Sequence, residues 1–136
     1  MVTGSSKGIG LAIAEELLQL GAEAIMVART EKDLLDAVQM FRKRGLKAKG
    51  MAGDITDGAF RTKLVRDVER KFSHLDILVN NVGTNIRKKL TEYTESEYRK
   101  IFETNLFALV EMARLCHPLL KKSGKGRKKP KPTWRA

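Results

Sequence analysis

The stretch Thr3-Gly4-Ser5-Ser6-Lys7-Gly8-Ile9-Gly10 carries the plainest chemical meaning in this sequence. Glycines let a backbone turn sharply and approach a pyrophosphate closely. A helix opening there would add free N–H groups and a partial positive charge. The spacing G-x-x-x-G-x-G differs from G-x-G-x-x-G, and no Lys-Ser/Thr pair follows the last glycine as a P-loop requires. A flexible turn is the plain alternative, and a strand before with a helix after argues against it. Four further polar residues stand out. Asp54 reads equally as a ligand contact or as an N-cap or turn residue before Asp57. Asn80 and Asn81 are good turn formers at a strand end. Asn105 sits in a run in which only it, Glu111 and Arg114 are polar up to Cys116. An amide placed in such a helix must find partners or cost about 1–3 kcal/mol.

The elements that would position these residues alternate between strand and helix. Met1–Thr3 reads as a strand end, and Gly8–Leu20 as a helix with Ile9, Ile13, Leu17 and Leu20 at helical spacing before Gly21. Ala24–Ala28 is a short apolar run that suits a buried strand. Thr30 with Asp33 resembles a capping box, opening a helix that ends near Gly45. Ala48–Ala52 reads as a third strand, Ala59–Phe72 as a third helix and Ile77–Val79 as the core of a fourth strand. Thr94 with Glu97 starts a long helix running toward Leu120, in which Pro118 marks a kink or the last turn. This alternation predicts a parallel sheet with helices on both faces.

The chain has 136 residues and allows one compact domain. Its net charge of +11 is unevenly placed. Residues 121–136 hold eight cations and no acid, leaving 19 cations against 16 acids in residues 1–120. The expected organisation is therefore a domain over 1–120 and a disordered basic tail over 121–136. Such a tail can bind acidic partners without reading sequence. With only Trp134 for an aromatic, a solvated end is the better reading and nucleic acid is not an expected partner. The single cysteine, Cys116, excludes an internal disulfide, and His74 and His117 lack companions at metal spacing, so no metal is expected. No charged-then-apolar leader opens the sequence, and its longest apolar run is too short for a membrane span, so a cytoplasmic protein is expected.

Thr3-Gly4-Ser5-Ser6-Lys7-Gly8-Ile9-Gly10 resembles the T-G-x-x-x-G-I-G cofactor loop of the short-chain dehydrogenase/reductase family. Asn80-Asn81-Val82-Gly83 is similar to that family's N-N-A-G, with Val82 in place of alanine. With Glu31-Lys32-Asp33-Leu34 and His117-Pro118-Leu119-Leu120, the likeness is to its tropinone reductase-like members and runs from residue 1 to about residue 126. The resemblance implies a Rossmann-type doubly wound parallel sheet, here incomplete at about four strands. It also implies dinucleotide contacts from Thr3, Gly4, Ser6, Lys7, Gly8, Ile9, Gly10, Arg29, Asp54, Asn80, Asn81 and Gly83, with Asn105 as a member of the catalytic tetrad. An acid about 20 residues past the loop would suit the ribose of NAD. Arg29 and Lys7 would instead attract a 2′-phosphate, so NADP(H) is the expected cofactor. Glu31 falls in a helix's first turn, where acids are common for dipole reasons. Arg87-Lys88-Lys89 reads as a solvated turn, with a hold on an anionic cofactor as its alternative.

The implied reaction is hydride transfer to or from a carbonyl carbon, for which the family uses Ser and Tyr-x-x-x-Lys placed after the asparagine. Four residues beyond Tyr93 and Tyr98 stand Glu97 and Phe102, so this signature is missing. Where the family enters an apolar fifth strand, this sequence continues Lys122-Ser123-Gly124-Lys125-Gly126 and then basic residues around Pro130 and Pro132. The expectation is a truncated product, inactive alone, carrying the N-terminal half of the fold. A helix left uncovered along 95–120 would drive association with itself or with full-length relatives.

Overall fold

The structure, a computed structural model, describes residues 1–124. Its sheet is parallel, with β2 (Ala24–Ala28) between β1 (Val2–Thr3) and β3 (Ala48–Ala52). β2 is buried along its whole length because helices cover both of its faces. Ala24, Met26 and Ala28 point to one side and pack against α1 (Gly8–Gln19) and α2 (Glu31–Lys43). Ile25 and Val27 point to the other and meet α3 (Gly58–Phe72) and α5 (Ala108–Ser123). This two-residue alternation between two apolar layers makes the sheet doubly wound.

The fourth strand expected at Ile77–Val79 is reduced to a single parallel bridge between Val79 and Val2. The Thr3 N–H donates to Val79 O at 3.0 Å and the Val79 N–H to Met1 O at 2.9 Å. The segment lies where a fourth strand belongs, but β1 offers it only Val2 and Thr3 as a ladder.

α1 turns a different face to the core than its large residues predict. Gly10, Ala14 and Leu18 are buried, Ile13 and Leu17 flank them, and Ile9 and Leu20 are 76% and 75% exposed. Small residues at positions 10 and 14 let the helix lie close to the sheet, and closeness outweighs bulk here. Thr30 makes no capping hydrogen bond at the start of α2. Its backbone stands at ψ 105°, against 157° at Thr94, whose hydroxyl does reach the third helical amide. Thr94 and Glu97 do form the reciprocal box that opens α4 (Glu95–Phe102).

The long helix expected from Thr94 is continuous but not uniform. Five residues, Glu103–Phe107, wind as a π-helix between α4 and α5. α5 then passes Pro118 and ends at Ser123, so the proline neither stops the helix nor marks its end. Lys121 and Lys122, expected in the tail, belong to this helix, and Lys122 pairs with Glu69 of α3 at 2.7 Å. The remaining tail positions, 125–136, lie outside the described residues. No described helix is long and apolar enough to cross a membrane.

Candidate functional site

The ends of β1, β2 and β3 and the segment after Val79 open onto one cleft of about 360 Å³. Gly4, Ser6 and Lys7 form one wall and Arg29 with Asp54 another. Asn81, Val82, Gly83, Lys100, Glu103 and Thr104 complete its lining. A crevice at the C-terminal ends of parallel strands, beside a helix N-terminus, is where open α/β sheets bind ligands.

The glycine loop is held from inside. Ser5 is buried, donates from Oγ to Val2 O at 2.9 Å and accepts from the Val27 N–H at 3.0 Å, tying β1 to β2. Thr3 is also buried, and its Oγ1 accepts from the Asn81 N–H at 3.1 Å. Asn81 Nδ2 donates to both Thr3 O and Gly4 O at 3.1 Å, stapling the loop after Val79 to the loop after β1. Gly10 is where the two meet. A side chain there would place Cβ 2.2 Å from Gly4 O and 2.5 Å from Asn81 Nδ2. Gly8 has φ +59°, a conformation costly for other residues, and a Cβ on it would touch nothing. Lys7 stands at the N-cap in extended conformation without a side-chain cap, so the first N–H groups of α1 keep their donor capacity.

Arg29 leaves β2 with its guanidinium exposed, 3.9 Å from Asp54 Oδ2. The other carboxylate oxygen of Asp54 accepts from Thr56 N–H and Oγ1, both at 2.9 Å. Asp54 is therefore both a turn residue and a cleft residue. The capping role before α3 falls instead to Asp57, which accepts from the Ala59 N–H at 2.9 Å.

Asn105 meets its partners across the cleft rim. Its Oδ1 accepts from the Thr84 N–H at 2.7 Å and its Nδ2 donates to Thr84 O at 2.8 Å, a two-way clamp on one peptide backbone. The clamp fixes the segment after Gly83 to the π-helical turn. Asn80 turns the other way, donating from Nδ2 to Leu109 O at 3.2 Å, and its Oδ1 is buried without a partner.

Of the residues singled out in the sequence, Gly4, Ser6, Lys7, Arg29, Asp54, Asn81 and Gly83 line the cleft directly. Thr3, Gly10, Asn80 and Asn105 support its walls, while Gly8 and Ile9 lie at the opening of α1. Arg87, Lys88 and Lys89 do not line it, and Lys88 pairs with Glu97 at 2.5 Å. Sequence reasoning missed Ser5, Thr56, Thr84, Lys100, Glu103 and Thr104. Lys100, Glu103 and Thr104 carried a usable signal, because helical spacing sets them on one face with a helix start already marked by Thr94. Thr56 and Thr84 carried none, since their roles depend on loop geometry.

Comparison with known proteins settles what this architecture is. The family model for short chain dehydrogenases matches residues 1–127. The chain belongs to the short-chain dehydrogenase family. A tropinone reductase homologue of Arabidopsis thaliana is 40% identical over 127 residues, 93% of this chain and 48% of that protein. A tropinone reductase homologue of Datura stramonium is 40% identical over 125 residues, covering 91% and 47%. Among solved structures, the L-sorbose reductase of Gluconobacter frateurii, complexed with NADPH and L-sorbose, superposes with a TM-score of 0.86 at 33% identity. That match takes in 90% of this chain and 47% of the reductase. This short-chain dehydrogenase chain thus spans about half the length of the relatives it matches.

Proposed function

We propose that this chain is the NADP(H)-holding half of a tropinone reductase-like oxidoreductase, and that its 136 residues alone do not turn over a carbonyl substrate. The observation that carries the first part is the uncapped start of α1, with Gly8 presenting bare backbone, opening beside a cleft whose rim holds Arg29. The residues fit a dinucleotide phosphate. Donors at the start of α1 and the flanking Lys7 suit a diphosphate, and Arg29 suits a 2′-phosphate. Asn81 and Asn105 hold the walls rigid, so nucleotide binding would require little ordering of the loops. The bound cofactor would supply a hydride to a carbonyl carbon.

The residues available to move a proton are the limiting feature. The Tyr93 hydroxyl donates to Ile86 O, and neither Tyr93 nor Tyr98 lines the cleft. Neither tyrosine is followed four residues later by lysine. Absence of a general acid alone lowers a rate by a factor of about 10²–10⁴.

NADPH titration, followed by nucleotide fluorescence, tests the proposal. Arg29→Asp should weaken NADPH binding about 10- to 100-fold while leaving NADH nearly unchanged. An unaltered preference overturns the assignment.

A second reading has its own observation. Phe102, Leu106, Phe107 and Val110 are 53%, 46%, 54% and 54% exposed along one helical rod. Covering such side chains is worth roughly 1.5–3 kcal/mol each when complete. That surface supports association with a second copy or with a full-length relative.

A further inference from the structure

The carboxylate of Asp54 is held so that one oxygen is occupied and the other is aimed. Thr56 takes Oδ1 through two donors at 2.9 Å, and Oδ2 faces Arg29 at 3.9 Å. The strand ends that carry the two residues are joined by the Gly53 N–H donating to Ala28 O at 2.9 Å. Asp54 is the only charge partner of Arg29 among the described residues. The guanidinium that faces the cleft is therefore already partly neutralised by a fixed acid.

We infer that Asp54 is a specificity-determining residue that restrains the preference of this cleft for a 2′-phosphate by acting as counter-charge to Arg29. The inference rests on the dinucleotide reading above. A phosphate arriving at Arg29 shares the guanidinium with Asp54 and is repelled by it. Both groups are substantially exposed, at 74% and 41%, so water screens the repulsion and the effect is modest. Holding Arg29 in place helps binding in the opposite sense. That benefit is small, because a contact of 3.9 Å is an ion pair without a directed hydrogen bond. The electrostatic term is the larger of the two. Asn in place of Asp keeps an oxygen for the Thr56 donors and removes the charge, so it isolates this term.

The experiment is a comparison of dissociation constants for NADPH and NADH on the full chain, wild type against Asp54→Asn, at low and at high salt. Direct loss of a contact to the shared part of the dinucleotide would move both constants together and leave their ratio fixed. We expect the NADPH-over-NADH preference to rise about 3- to 10-fold at low salt and the gain to shrink at high salt. In an Arg29→Gln background only the direct repulsion between carboxylate and phosphate remains, so the same substitution should raise the preference less than it does beside Arg29. A preference that stays flat or falls in Asp54→Asn overturns the inference and leaves the nucleotide site standing. Failure of the wild-type chain to bind either nucleotide overturns both. If Asp54→Asn does not fold, Asp54→Ser, which keeps one oxygen for Thr56, is read by the same ratio and the same criteria.

Discussion

Around the glycine loop, Thr3, Ser5 and Asn81 direct their side chains into the backbone of neighbouring strands and loops. Some ninety residues further along, from Phe102 to Val110, four large apolar side chains stand half in water. Both regions reach one cleft, since Glu103 and Thr104 line it together with Gly4 and Lys7. The first region is tied together within this chain by side-chain hydrogen bonds to backbone. The second buries Ala108, Met112, Cys116 and Leu119 on its inner face and leaves its outer face uncovered. The cleft is thus braced by residues spread from Thr3 to Asn81, while the helical flank that also lines it keeps an apolar outer face in water.

The sharpest way to break this comparison is to damage the finished region. Gly10→Ala forces a Cβ into Gly4 O and Asn81 Nδ2, both of which belong to the stapled loops. Overpacking of this kind costs about 1–3 kcal/mol. Urea unfolding should show a loss of that size, and NADPH affinity should fall at least tenfold. A neutral outcome would mean the loops are looser than their hydrogen bonds imply.

The two regions were also unequally readable in the sequence. The cradle shows itself in Thr3 to Gly10 because backbone approach demands glycine at fixed spacing, and Asn80-Asn81 because side-chain amides are needed to join two loops. The inner face of α1 was misread, since Ile9 and Leu20 are larger than Gly10 and Ala14 yet face solvent. Bulk predicts burial only where the helix has room to stand off the sheet, and Gly10 removes that room. The partner of Asn105 could not be found from spacing, because Thr84 lies 21 residues away and offers backbone only. The π-helical turn at Glu103–Phe107 left no mark in the sequence pattern either.

Substitution on the uncovered flank should give a smaller effect on stability and a larger one on association. Phe102→Ser with Val110→Ser removes two half-exposed side chains. Each should lower the unfolding free energy by about 1 kcal/mol, because about half of each side chain is already covered. Sedimentation velocity should at the same time show a lower average mass than wild type. Equal masses would mean that this face stays wet in solution.

The smallest expected effect lies at the start of α4. The Lys88 ammonium, with help from the Thr94 backbone, lowers the Glu97 carboxyl from 4.5 to about 2. A lowered acid supports the fold fully above its ordinary value and loses that support as pH falls through the folded one. The cap's contribution to stability should therefore be full above about pH 4.5 and shrink toward pH 2, where the folded carboxyl takes up its proton. The Thr94 and Glu97 amide resonances, followed by NMR across that window, should move together. The hydrogen bonds of Thr3, Ser5 and Asn81 should persist across that window, because none of those side chains titrates.

Cys116 lies fully buried where α5 meets the sheet, and burial pushes its thiol up to about 11. At neutral pH it is protonated and sealed, so a thiol reagent in the solvent has nothing to attack while the layer is closed. Being the sole sulfhydryl of the sequence, it gives one unambiguous signal. The rate at which it is modified is a clock for how often that helix lifts away, and anything that settled on the outer flank would slow the clock.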